Sequence, residues 1–322
     1  MFLNSSKFLF LVFMTVGVII SLTCNSWIMI WSGMELFLLS FIPYFCNFSF
    51  VSSESSMKYF LVQGMSSSLF IFNVFFLLLE NYYFFSFFLC FSLLLKLGCA
   101  PLHSWVVGVV SGMSYDSLFI FFCFSKLPPF FLLSYLCMGF NFFVLMSLVF
   151  GSVGGLGYSS MKKLMGFSSI FNLGFLIYLI NVGSLWSFYF LVYTFMIFFI
   201  FMFLLNYELN YLNQFYSGTM SLSSKISFWI LFLSLGGMPP MIGFFIKLIS
   251  IEYSILNNDY FITSFMIFFS LVVMFFYIRI SYVSMIFFSF LVKWHVLINL
   301  VQLNLLCLLS LFVFPFFLVV KV

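Results

Sequence analysis

Apolar runs of about twenty residues follow one another along almost the whole chain, each long enough to cross the roughly 30 Å hydrocarbon core of a bilayer. Eleven such spans are expected, at about 8–22, 27–45, 57–79, 84–107, 116–133, 135–153, 163–181, 186–205, 226–251, 261–283 and 297–320. Backbone crossing lipid must satisfy its own polar groups, so each span is expected to be a helix. A water-soluble fold would need a polar surface. With 65% hydrophobic and 6% charged residues among 322, the chain cannot supply one. The expected fold class is all-α: a single integral membrane domain over 1–322. Connections are short, and the longest, about 206–225, has room for one surface turn of helix.

The few charges are segregated. If the N-terminus defines one side, Lys7, Lys58, Lys162, Lys163, Lys225, Arg279 and Lys293 fall at or near it. The other side receives Lys321 together with Glu80, Glu252 and Asp259. The positive-inside rule then places the N-terminus on the side of synthesis and the C-terminus opposite. The net charge of +4 thus reports topology and gives no footing for nucleic acid. Trp27, Trp105, Trp186 and Trp294 fall near expected span ends, where amphipathic rings sit at the interface. Lys7 precedes an apolar run with no small-residue cleavage site, so that run is expected to be a retained first helix. Seven cysteines are scattered singly with no CxxC pair, which indicates small buried hydrophobes, without a disulfide framework or an iron–sulfur site.

Setting loop charges aside leaves Glu35, Lys96, Lys126 and Lys247 at membrane depth. A charge there costs roughly 2.5–3.5 kcal/mol on insertion scales, so these residues mark functional sites by default. Lys96 and Lys247 each share a span with a Gly/Pro interruption: Gly98 and Pro101 in the first, Gly236, Gly237, Pro239 and Pro240 in the second. Backbone is expected to unwind locally at both. Buried alone, a carboxylate or an ammonium favours its neutral form; side by side, each favours the other's charge. Glu35 is expected within salt-bridge reach of Lys96. A single Glu–Lys pair can be structural glue between helices, but three lysines against one carboxylate leave charge unbalanced and point to a proton path.

His103, beyond Pro101, is either a proton relay or a helix-end residue bonded to freed carbonyls. His295 is assigned no role, and two distant histidines make no haem site. The cluster Gly151-Ser-Val-Gly-Gly-Leu-Gly157 lacks a following Lys-Ser/Thr and a βαβ setting, so it is expected to be a tight loop, closed by Lys162-Lys163. Lys58 is expected to snorkel to the surface.

Several segments in register carry a resemblance: Gly33-Met-Glu35-Leu, Ser53-Glu-Ser-Ser-Met-Lys58-Tyr-Phe-Leu-Val-Gln63, Leu95-Lys96-Leu-Gly-Cys-Ala-Pro101-Leu-His103-Ser-Trp105, Lys162-Lys163-Leu-Met-Gly-Phe-Ser-Ser-Ile170 and Leu233-Ser-Leu-Gly-Gly-Met-Pro-Pro240-Met-Ile-Gly-Phe-Phe-Ile-Lys247. Together, over about 15–285, they resemble the subunit 2 family of NADH dehydrogenase (ubiquinone), antiporter-like membrane subunits of mitochondrial respiratory complex I. The resemblance implies two inverted five-helix repeats, each with a broken helix, over about 1–133 and 135–283, and a final helix over about 297–320. It places the family's key carboxylate at Glu35, the paired broken-helix lysine at Lys96, the central lysine at Lys126 and the exit-side lysine at Lys247. It implies proton translocation coupled to electron transfer from NADH to ubiquinone, within a mitochondrial inner-membrane assembly whose N-terminus here faces the matrix. No cofactor is expected on this chain; FMN and iron–sulfur clusters belong to partner subunits. The implied partners are other membrane-arm subunits, further antiporter-like ones among them, and lipids. Where the family follows the tryptophan with a proline and an acid, Trp105 is followed by Val106-Val107-Gly108. A standalone cation/proton antiporter and a non-pumping structural spacer are the alternative functions.

Overall fold

A computed structural model describes residues 5–46, 49–79, 82–136, 139–181, 183, 185–217 and 222–286. The expected span at 297–320, with Lys293, His295 and Lys321, lies outside them, as does Glu80. Among the described residues every extended element is helical, and the one β-type contact is an isolated bridge between Ser160 and Tyr211. Seven helical stretches are long and apolar enough to cross a membrane: Ser5–Thr23, Trp27–Phe45, Phe50–Leu77, Tyr115–Leu136, Met161–Ile180, Leu185–Asn206 and Tyr260–Tyr282. Three shorter apolar ones are Phe85–Leu97, Asn141–Leu156 and Lys225–Gly236.

The chain packs as two compact units, Met1–Phe143 and Val144–Val322. In the first, α1 (Ser5–Thr23) and α2 (Trp27–Phe45) lie close together. The closeness has a local cause: a Cβ on Gly17 would meet the Gly33 carbonyl at 2.8 Å, and one on Gly33 the Gly17 carbonyl at 2.8 Å. Glycines facing one another let helix backbones approach where lipid offers no hydrophobic drive to packing. Against α2 packs α3 (Phe50–Leu79), which in turn packs on α4 (Tyr82–Leu97) and α5 (Ser104–Gly112). The unit is completed by α6 (Tyr115–Cys123) and α7 (Leu127–Leu136), and α7 contacts α1 and α4. The expected span 84–107 is therefore two helices. So is 116–133, whose interruption the sequence reading did not anticipate.

The second unit is built on α9 (Met161–Ile180), which is buried on nearly its whole circumference, as a helix apolar all round must be. With it are α8 (Asn141–Leu156), α10 (Leu185–Asn206), α11 (Leu222–Gly236), α12 (Ile242–Leu256) and α13 (Tyr260–Ile286), of which α10 and α12 pack on α9. A 3-10 turn at Leu212–Ser217 fills the long connection. The glycine cluster is a correction. Gly151, Gly154 and Gly155 lie inside α8 and form no loop; a Cβ on Gly151 would meet the Phe171 backbone nitrogen at 2.5 Å. Small residues here admit α9, the same device as at Gly17 and Gly33. In both units large apolar side chains face outward, Phe8, Leu39 and Met65 in the first, Leu191, Phe268 and Phe275 in the second. A soluble monomer would not expose so many; a lipid-facing surface must.

Candidate functional site

The first break sits where α4 stops. Gly98 enters the left-handed region with φ +73°, open to glycine without steric cost. Its N–H is shared between the carbonyls of Leu94 and Leu95 at 3.0 and 3.1 Å, and the Cys99 N–H returns to Leu94 at 3.1 Å. This is the geometry of a glycine C-cap, which satisfies two of the last helical carbonyls. Pro101 has no N–H to continue the ladder, and the chain turns through 101–103 before α5 resumes. The next free carbonyl, that of Lys96, accepts the Gln63 side-chain amide at 3.2 Å. An unpaired buried carbonyl would cost roughly 1–3 kcal/mol.

Lys96 itself is 8% exposed. Its Nζ lies 3.7 Å from the Met34 sulfur and 5.8 Å from the centroid of the Phe70 ring. It lines a cavity of about 20 Å³, with Met34, Tyr59, Gln63, Ser125 and Pro128 on the other walls. A space above roughly 10–15 Å³ holds a water. Ser125 and Pro128 belong to the turn that carries Lys126, so the cavity runs from one lysine to residues flanking the other.

That turn is the third interruption. The Ser125 N–H reaches five residues back to the Ile120 carbonyl, a widened turn, and Pro128 and Pro129, three and four positions on, have no N–H to donate. Lys126 is 2% exposed, and among the described residues its Nζ has no hydrogen-bond partner. It lies 5.0 Å from the Phe122 ring centroid, a cation–π contact that offsets part of the desolvation cost.

The second break repeats the first. Gly237 takes φ +87°, its N–H is shared between Leu233 and Ser234 at 3.0 and 3.1 Å, and the Met238 N–H returns to Leu233 at 3.1 Å. Pro240 follows Gly237 at the spacing at which Pro101 follows Gly98. Here the free carbonyls of Leu235 and Gly236 accept the Lys247 ammonium at 3.1 and 2.7 Å. Lys247 is 5% exposed and lies 5.5 Å from the Phe171 ring centroid. It reaches the break because α12 folds tightly against α11: a Cβ on Gly243 would stand 1.7 Å from the Ser234 carbonyl oxygen.

Several expectations need correction. Glu35 and Lys96 form no salt bridge; among the described residues the ion pair is Glu54–Lys58, half-exposed on one face of α3. Glu35 sits on α2 within electrostatic range of Lys96 and Tyr59, and among the described residues its buried Oε1 has no hydrogen-bond partner. Its neighbour Met34 takes the place beside the lysine. His103 is the residue before α5, and its ring interacts with the Pro101 backbone. Trp105 packs inward, 6.3 Å from Tyr59 and 6.0 Å from Phe121, because α5 runs on to Gly112 and moves the span end away from it. Lys225, counted as a loop base, is buried in the first turn of α11.

Residues 24–274 match the family described as the transmembrane part of NADH:quinone oxidoreductase and Mrp antiporter subunits. The chain belongs to this family. Within it, the chain is 37% identical over 291 residues to NADH-ubiquinone oxidoreductase chain 2 of Anopheles gambiae, covering 86% of this chain and 85% of that one. It is 32% identical over 303 residues to the same chain of Locusta migratoria, covering 89% and 87%. It is thus a chain 2 member, an antiporter-like membrane subunit. Among solved structures, the fold matches a chain of respiratory complex I from Thermus thermophilus with a TM-score of 0.83 at 17% identity, over 97% of this chain and 77% of that one. It also matches a chain of the Mrp complex from Dietzia sp. DQ12-45-1b, TM-score 0.76 at 15% identity, over 84% and 59%.

Sequence reasoning passed over three residues of this family member's site. Gln63 lies on α3, more than thirty positions from the carbonyl it caps, and its sequence signals are a glutamine in an apolar run and its place at the end of a segment that carries the resemblance. Ser125 stands beside Lys126, and the following proline pair marks the broken helix. Gly243 is a glycine two residues into a helix beside a break, where only close backbone approach explains it.

Proposed function

We propose that the chain translocates protons in the membrane arm of respiratory complex I, in the mitochondrial inner membrane, through Glu35, Lys96, Lys126 and Lys247. The observation that carries this reading is the placing of Lys96, Lys126 and Lys247 beside interrupted helices, each buried with no carboxylate in ion-pair contact among the described residues. Structural charges are neutralised in place, because a buried charge without a counter-charge is costly. Amines left beside loosened backbone and a water-sized cavity suit transient proton exchange. Each lysine would hold one proton and pass it on; Glu35, at range from Lys96, would bias that exchange electrostatically without touching it.

Electron transfer belongs to partner subunits carrying FMN and iron–sulfur clusters, and the drive would arrive here as charge and conformational change along the membrane arm. Other membrane-arm subunits, further antiporter-like ones among them, and lipids would surround the chain. The segregation of basic residues supports an N-terminus in the matrix and a C-terminus facing the intermembrane space.

The test is the proton-to-electron ratio of assembled mutant enzyme in closed vesicles. Lys96→Met and Lys126→Met should each lower it, with the NADH reaction toward artificial acceptors intact. Glu35→Gln should act in the same direction and more mildly. If both lysine variants assemble and pump at the wild-type ratio, the proton path is wrong and a structural spacer takes its place.

A further inference from the structure

The two breaks pose one chemical problem and solve it differently. In each, a left-handed glycine and the next residue use up two carbonyls of the last turn, Leu94 and Leu95 in the first, Leu233 and Ser234 in the second. The next carbonyl in register is that of Lys96 in the first and of Leu235 in the second. Leu235 is capped by an ammonium, Lys247. Lys96 is capped by a neutral amide from another helix, Gln63.

Lysines near a helix C-terminus can hydrogen-bond its last carbonyls. Lys96 occupies that last turn, yet its Nζ goes to the Met34 sulfur, beside the cavity that Ser125 and Pro128 close. We propose that Gln63 is a positioning residue: by occupying the Lys96 carbonyl, it leaves the Lys96 ammonium free to face the cavity toward the Lys126 turn. The inference rests on the proton-transfer reading above and adds a residue to it. Gln63 carries no proton. It is buried at 8% exposure, and its amide is fixed by the bond it makes. On this proposal, the Lys96 carbonyl left without that donor would draw the lysine's own ammonium, which would then copy Lys247 and withdraw from the cavity.

The test uses the assembled complex in closed vesicles. Gln63→Met keeps side-chain length and removes the donor. It should lower coupled NADH:ubiquinone turnover by about tenfold, within the roughly hundredfold that a 1 Å misplacement of a reacting group can cost. The proton-to-electron ratio should fall with it, while the ubiquinone KM and the artificial-acceptor rate hold. A density map of this variant should show Lys96 Nζ turned onto its own helix end. Gln63→His, assayed near pH 8 where an ordinary imidazole is neutral, places Nε2 the same number of bonds from Cα and should restore pumping. Gln63→Asn, with the amide withdrawn by one methylene, should show a smaller loss. If Gln63→Asn and Gln63→Met pump at the wild-type ratio while Lys96→Met does not, the positioning role is refuted and the proton path stands. Wild-type pumping by Gln63→Asn refutes it even where Gln63→Met fails to assemble. Wild-type pumping by Lys96→Met removes Lys96 from the proton path, and the role of Gln63 with it.

Discussion

The three lysines beside the helix interruptions, Lys96, Lys126 and Lys247, are held in three different ways, and their substitutions should separate accordingly. Lys247 makes two hydrogen bonds to helix-end carbonyls, so Lys247→Met strands two buried acceptors at roughly 1–3 kcal/mol each. Among the described residues the Lys126 ammonium has an aromatic face and no hydrogen-bond partner, so Lys126→Met exchanges a poorly compensated buried amine for an apolar side chain of similar length, a change that is often neutral or stabilising. Thermal denaturation of the assembled complex, followed by loss of this subunit, should rank Lys247→Met below wild type and Lys126→Met level with it or above. The reverse order would mean that Lys126 has a structural partner. Pumping, by contrast, should fall in both. Stability and function are thus expected to part company at Lys126.

Helix interruption here depends on a few glycines with distinct duties. Gly98→Ala forces a left-handed alanine and sets its Cβ 2.2 Å from the Val106 side chain, which must move. Gly243→Ala drives a methyl into the Ser234 carbonyl, a backbone atom that cannot yield, so α12 must lift away from α11 and take Lys247 off its carbonyls. Gly64 on α3 meets nothing within 4 Å, and an alanine there should gain roughly 0.8–1.0 kcal/mol of helix propensity. Complex assembly and coupled turnover should therefore be lost for Gly243→Ala, reduced for Gly98→Ala and unchanged or improved for Gly64→Ala. Normal pumping by Gly243→Ala would show that the tight α11–α12 approach is dispensable.

For the chain in its membrane, the segregated bases give an orientation that chemistry can check. A single cysteine introduced near Lys163 should react with an impermeant maleimide from the matrix side only; labelling from the intermembrane space would invert the topology. Arg279 bears on the same point, because its guanidinium caps the end of α8 through the carbonyls of Leu156 and Tyr158 at 2.8 and 3.1 Å. A cation fits a helix C-terminus, where terminal carbonyls concentrate negative charge. Its position therefore has a structural cause as well as a topological one, and Lys225 is buried too, so neither can be counted as a simple loop charge.

Much of this molecule is legible in one dimension. Hydropathy alone separates membrane from water because the cost of exposing backbone to lipid is paid span by span, and the helices α1, α2, α9 and α10 follow the apolar runs within a few residues. The breaks at Gly98 and Gly237 are equally local, since a left-handed glycine followed three residues later by a proline ends a helix whatever surrounds it. The buried lysines stand out for the same reason: charge in such runs is rare. Partnership is another matter. That Lys96 meets Met34 in place of Glu35, that Gln63 caps the carbonyl, that Lys247 turns back onto its own break, and that the glycines of α8 admit a helix all depend on how each helix is rotated and how closely it approaches its neighbour. Those choices are made by side chains far apart in the chain competing for the same few ångströms, and no periodicity within a single span records the outcome.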